Sequence, residues 1–244
     1  MSLINVDLYL GKRLEECWAE LHAVGGLSTW APYSFDSGSI KRIELRFNNH
    51  WGTLIEEGYL EYLIMVTDEK GLITYLKAFP LKDLESCTIP LTERETHSNL
   101  GAVYFGCASP AALEWATDER GGADYFYLAY ECEDSYSVVH AQPFHADSRV
   151  NSSSWPNCIQ VSAEESPKIL LGNPSIHPSS GYVRLQDLES GRRIQFEMEL
   201  NPFDVVKFNL DGVDDGWYAI NCNVGKGYAH LIRSFDRGLT VRHM

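Results

Sequence analysis

The chain changes its apolar period once and does not return to it. Leu14, Trp18, Leu21 and Val24 fall about one helical turn apart, and Gly25-Gly26 closes the run, which predicts a helix over 12–24. From Ser39 onward the apolar stretches are short, rich in aromatic and β-branched residues, and closed by turn residues. KRIELRF (41–47), YLEYLIMV (59–66), ITYLKAF (73–79), AVYFGC (102–107), YFYLAYE (125–131), RIQFEMEL (193–200) and WYAINC (217–222) are of this kind, with DEKG, SSG and ESG as turns. A parallel sheet needs a crossover helix between strands, and no helical pattern lies between these. The expected fold is all-β, built as antiparallel sandwich units. Alternation of Ile4, Val6, Leu8 and Leu10 predicts a short strand ahead of the helix.

The text also repeats in outline. AVYFGCASPAALEWATDERGG (102–122) and WYAINCNVGKGYAHLIRSFDRG (217–238) both follow a glycine, with Cys107 and Cys222 at the same offset from Gly101 and Gly216, and both end in Asp, Arg and Gly. Further back, VTDEKGLITYLKAFPLKDLESCTIPL (66–91) runs parallel to LQDLESGRRIQFEMELNPFDVVKFNL (185–210). An internal duplication is expected, with one unit over roughly 40–122 and a second over roughly 167–244. The segment 123–166 fits this scheme less simply and is expected to complete the first sandwich. NSSSWPN (151–157) reads as a linker, so the expected organisation is an N-terminal extension over 1–38, a first unit over 39–150 and a second over 151–244.

Composition narrows the function classes. A net charge of -14 opposes phosphate-backbone binding, so no nucleic-acid partner is expected. No apolar run approaches membrane-spanning length, and Asp7, Glu15, Glu16 and Glu20 stand where a secretory leader would be apolar, which predicts a cytoplasmic protein without membrane insertion. Cys17, Cys87, Cys107, Cys132, Cys158 and Cys222 then read as reduced thiols, and none forms a C-x-x-C pair.

Three stretches of the second unit, KILLGNP (168–174), ELNPFDVVKFNLDG (199–212) and INCNVGKGYAHLIRSFD (220–236), resemble the sensory rhodopsin transducer family. In that resemblance Cys222-Asn223-Val224-Gly225 occupies the last turn, His230 the histidine position and Asp236 the aspartate. In the first unit Cys107-Ala108-Ser109-Pro110 keeps the turn proline, Trp115 stands at the histidine position, and SVVHAQPFHADSR (137–149) repeats the terminal strand with His140. Gly225 departs from the family's turn proline, and Gly238 departs where the family continues polar. The resemblance implies a small-molecule or protein-binding β-sandwich, often oligomeric, used in signalling or attached to enzymes. It implies no reaction.

Candidate site residues come from histidines, aromatics and strand-end charges. No nucleophile elbow, phosphate loop, H-E-x-x-H or calcium loop is present. His140 and His145 lie five apart and meet only if the chain bends at Pro143; Cys132 and Cys158 would complete a zinc arrangement. The spacing is irregular, the reading as loop histidines ranks above it, and no metal or cofactor is expected. His230, between apolar neighbours on a strand, ranks as a core histidine ahead of a ligand contact. Most rings among Trp51, Trp115, Trp155 and Trp217 are expected in the core, with Trp155 the exposed one. Arg233 and Asp236 read first as turn anchors, and the acidic turns DLES and DGVDD as turn chemistry ahead of cation sites.

The expected function is a non-catalytic binding module for a small polar ligand, carbohydrate among them, or for a partner protein. His140, His145, Trp155, Trp217, His230, Arg233 and Asp236 are the candidate ligand-binding residues. A hydrolase or lyase using these histidines on a sugar-like substrate is one alternative, and a structural protein assembling through sheet edges is another. A homo-oligomer is expected.

Overall fold

The structure is a computed structural model that describes residues 5–25, 27–35, 40–48, 59–82, 84–92, 96–107, 126–143, 146, 157–162, 167–224, 229–235 and 238–243. A 3-10 turn at Val6–Leu8 leads into α1 (Leu14–Gly25), followed by β1 (Leu27–Ser34), β2 (Ile40–Asn48), β3 (Tyr59–Asp68), β4 (Ile73–Lys82), β5 (Ser86–Leu91), β6 (Leu100–Cys107), β7 (Tyr127–Cys132), β8 (Tyr136–His140) and β9 (Gln142–Pro143). The second half holds β10 (Asn157–Val161), β11 (Lys168–Gly172), β12 (Ser179–Asp187), β13 (Arg193–Leu200), β14 (Val205–Asn209), β15 (Gly216–Cys222), β16 (Ala229–Phe235) and β17 (Gly238–His243). Every described strand ladder is antiparallel, and the protein is all-β with one short helix.

The strands form two sandwiches of one topology. In the first, the sheet β4-β3-β6-β1-β9 faces β5-β2-β7-β8; in the second, β10-β15-β12-β13 faces β14-β11-β16-β17. β1 to β8 map in order onto β10 to β17, with the same neighbours in both sheets. The β3–β4 and β12–β13 hairpins share an Asp-capped turn with a glycine at positive φ, although only the first carries a register shift. Asp68 and Asp187 accept turn N–H groups with Oδ1, and Gly71 and Gly191 take φ of +74° and +73°. β7 and β8, in the segment outside the simple two-copy scheme, complete the first sandwich. By position in its sheet, β7 is the counterpart of β16; Trp115, the residue matched to His230 from sequence, lies outside the described residues.

Each sandwich has its own core. Phe47, Tyr62, Phe105, Phe126 and Tyr130 fill the first, with Tyr62 and Phe105 stacked at 5.4 Å; Ile159, Leu171, Val183, Leu185 and Ile220 fill the second. A third cluster lies on the outer face of β4-β3-β6-β1, where Leu14, Cys17, Trp18 and Leu21 of α1 pack on Leu63, Met65, Ala102 and Tyr104. This explains the unbroken apolar run in β3: Leu60, Tyr62, Ile64 and Val66 face the sandwich, and Leu63 and Met65 face the helix.

The N-terminal alternation does not make a strand. Leu8 and Leu10 stay exposed, Tyr9 is buried, and the chain is tied to the β3–β4 hairpin by Gly11 N–H to Ile73 O, Ile73 N–H to Lys12 O and Leu14 N–H to Gly71 O. Among the described residues no strand forms a ladder along 5–10, and the chain turns into the helix.

The two sandwiches meet through the 201–205 segment. Phe203, at φ +59°, lies 5.7 Å from the Trp18 ring and 6.1 Å from Tyr104, and Val205 N–H donates to Glu69 O. Asn173 holds this segment from the second unit: its N–H donates to Asp204 O, its carbonyl accepts from Phe203 N–H, and its Nδ2 donates to the carbonyls of His177 and Asn201. Gly172 packs directly on the Trp30 ring.

Candidate binding face

The outer faces of the two equivalent sheets differ. In the first unit α1 and Phe203 seal that face. In the second, the outer face of β10-β15-β12-β13 carries no helix among the described residues, and its alternation gives it a polar surface. Ladder register arranges the outward residues in rows. Gln160 stands opposite Trp217; Cys158, Ala219, Gln186 and Arg193 form the next row; Asn221, Arg184 and Gln195 the third; Tyr182 and Glu197 the fourth. Successive rows are two residues apart, about 7 Å, so the rings of Trp217 and Tyr182 bound a polar floor roughly 20 Å long.

Neighbours fix the two ends. Trp217 is 55% exposed, and its carbonyl accepts from Leu188 N–H in the hairpin turn that Asp187 caps. The backbone N–H groups of Ser190 and Glu189 hold the Asp187 carboxyl below its ordinary range. Beneath it, burial raises the Tyr218 phenol, assisted by the charges of Asp187 and Asp214, and its hydroxyl donates to Asp214 O. At the far end Asn223 accepts from Tyr182 N–H through Oδ1 at 2.7 Å and donates its own N–H to Tyr182 O. The approach is close enough that a Cβ on Gly181 would stand 2.5 Å from Asn223 Oδ1.

The floor is preorganised. The Arg184 guanidinium lies 4.2 Å over the Tyr182 ring and donates to Gln195 Oε1 at 2.8 Å, while Gln195 Nε2 donates to Glu197 Oε1 at 2.5 Å. An open groove of about 450 Å³ borders this corner, lined by Ser180, Gly181, Glu197, Met198 and Glu199. Rings that stack, amides that both donate and accept, and a fixed guanidinium are the groups that recognise a polyhydroxylated ligand without reacting with it. Among the described residues no group of three His, Cys, Asp or Glu is placed to hold a metal ion.

Of the residues expected from sequence, Trp217 alone among the described ones is on this face. His230 is fully buried on β16, opposite Leu170 and in phase with Ile232, both of which belong to the first unit's core cluster; it faces the first sandwich. His140 is exposed on the outer face of β5-β2-β7-β8, its Nδ1 3.0 Å from Gln142 Nε2 and 3.1 Å from Ala141 O. Trp217 and His230 therefore occupy opposite sides of the second sandwich, and the structure does not bring them together. Arg233 lies on β16 opposite Thr240, with its side chain outside the described residues; His145, Trp155 and Asp236 also lie outside them. Of the other tryptophans, Trp18 and Trp30 are buried, and Trp51 and Trp115 fall outside the description. Cys132 is buried on β7 and Cys158 exposed on β10, in different sandwiches.

Tyr182, Arg184, Gln160 and Gln195 were not singled out from sequence, and Asn223 entered only as part of the last turn. The available signal was alternation in YVRLQD (182–187), where every second residue is polar or aromatic, and it specifies a face only once the sheet is known. No family model matches the chain, and comparison with curated proteins finds no relative. No described helix is long and apolar enough to cross a membrane.

Proposed function

We propose that the chain is a non-catalytic binding module that takes an extended neutral carbohydrate across the outer face of β10-β15-β12-β13, with Trp217 as the stacking platform, Tyr182 holding the Arg184 guanidinium in place, and Gln160, Arg184 and Gln195 as hydroxyl partners. One observation carries the reading: of two topologically equivalent faces, one is sealed by α1 and the other, polar and bounded by rings, carries no helix among the described residues. On this reading the units descend from an internal duplication, one copy capped and the other kept for binding. The resemblance to the sensory rhodopsin transducer family supports a binding sandwich of this kind, in signalling or as an accessory domain. The net charge of -14 disfavours anionic polymers and directs the proposal to neutral ones.

The test is affinity electrophoresis and calorimetry against a panel of neutral and uronic-acid polysaccharides, with the Trp217→Ala variant beside the unsubstituted protein. Binding to a neutral polymer, weakened at least about tenfold by the substitution, is expected, since loss of one stacking ring is worth about 1.4 kcal/mol or more. Absence of binding across the panel, or equal binding by the variant, sinks the proposal.

A further inference from the structure

Most described sheet edges are short or guarded. β4 carries Pro80 and joins β3 through a register shift, β5 carries Pro90, β10 and β14 are short, β9 is a two-residue strand, and β8 and β17 lie beside each other. Proline, shortness, irregularity and cover are the usual ways to keep an edge from pairing. β13 has none of them. It runs Arg193–Leu200 without proline, glycine or bulge, in unbroken register with β12, and no described residue pairs along its other side.

Its sequence is complementary to itself. An antiparallel partner must place outward residues opposite outward residues, so only registers that keep this parity are allowed. With Phe196 on the two-fold axis, Arg193 stands opposite Glu199 of a second copy, Gln195 opposite Glu197, and Ile194 opposite Met198. Both Arg–Glu pairs form at once, and the partly buried Phe196, which packs on Phe208 at 4.8 Å, meets its own copy across the axis. A shift that centres Glu197 sets like charges against each other, and one that centres Gln195 leaves Glu199 beyond the strand. The geometry points to a homodimer formed by β13 pairing with β13 of a second copy in the register centred on Phe196.

Such a pair joins the two sheets into one, β10-β15-β12-β13 continuing into its copy, with both outer faces on the same side. The two β15 strands lie five strand spacings apart, about 24 Å. If the carbohydrate reading above holds, this spacing presents two Trp217 faces to one polymer and raises apparent affinity by effective concentration; the dimer does not depend on that reading.

Sedimentation equilibrium of the full chain tests it. Twice the 27.6 kDa chain mass is expected. Arg193→Glu and Glu199→Arg alone should each weaken dimerisation at least about tenfold by setting like charges across the interface, and the double variant should restore it, with circular dichroism unchanged throughout. A chain that stays monomeric at concentrations of about 100 µM, single variants that dimerise normally, or a double variant no better than the singles overturns the proposal. Binding of a monovalent oligosaccharide by the unsubstituted chain, with Trp217→Ala beside it, reports separately on the Trp217 face whatever mass sedimentation gives, so failure of one proposal is distinguishable from failure of the other.

Discussion

Gly101 and Gly216 open the repeated outline in the sequence, yet their surroundings differ. A Cβ on Gly101 would overlap the Thr67 carbonyl oxygen on the paired strand and press on the Tyr33 hydroxyl, which itself donates to that carbonyl at 3.2 Å. At Gly216 the nearest atom to an added Cβ belongs to the Tyr218 ring at 3.5 Å, an ordinary contact. Gly101→Ala is therefore expected to destabilise the protein by about 3 kcal/mol or more, because backbone must move. Gly216→Ala should stay within about 0.5 kcal/mol of the parent. Urea unfolding of both variants checks the contrast, and equal effects would contradict it. The ladder register sets Gly101 opposite Asp68 but Tyr218, two residues after Gly216, opposite Asp187, and the requirement at Gly101 comes from a strand more than thirty residues away, which sequence alone does not show.

At the scale of elements, α1 and Trp217 make opposite claims on equivalent sheets. Trp18 and Leu21 are buried against Leu63, Met65 and Phe203, so Leu21→Ala should cost about 2–5 kcal/mol and uncover apolar surface. Increased binding of a hydrophobic dye and a lower urea midpoint would report it. Trp217→Ala removes a ring that is mostly in water and should cost no more than about 1 kcal/mol while abolishing the proposed stacking. A Trp217 variant as destabilised as the Leu21 one would mark that ring as structural. The helix was legible because its period differs from everything around it. β1 was not, because Pro32 reads as a breaker; β9 pairs with Thr29 and Trp30, and no described residue pairs with that side of the strand at Pro32. The candidate face was half legible: alternation announced polar outward positions, but which sheet face the helix covers depends on where α1 docks.

Across the whole molecule, the units share side chains at their junction, and the buried tyrosines lie on both sides of the five-stranded sheet that occupies its middle. Tyr33 and Tyr130 face the first sandwich core, and Tyr104 faces α1 and Phe203. Burial pushes all three phenols well above their ordinary value. The native chain thus keeps these protons where an unfolded chain, with tyrosines near about pH 10, releases them. A group whose native pKa is raised contributes its full stability below the unfolded value and loses it as pH climbs toward the native one. Stability is expected to carry no tyrosine-linked slope up to about pH 9. Above about pH 10 it should fall with a contribution of up to about 4 kcal/mol per pH unit, three protons at 1.36 kcal/mol each. Tyr104→Phe removes one of the three, so its alkaline limb should be shallower by about a third of that contribution. Urea midpoints of the parent and the variant between pH 8 and 11, fitted for slope, decide the matter. Parallel limbs would mean that Tyr104 ionises in the native protein, and that the α1-covered face admits water at the depth of Phe203.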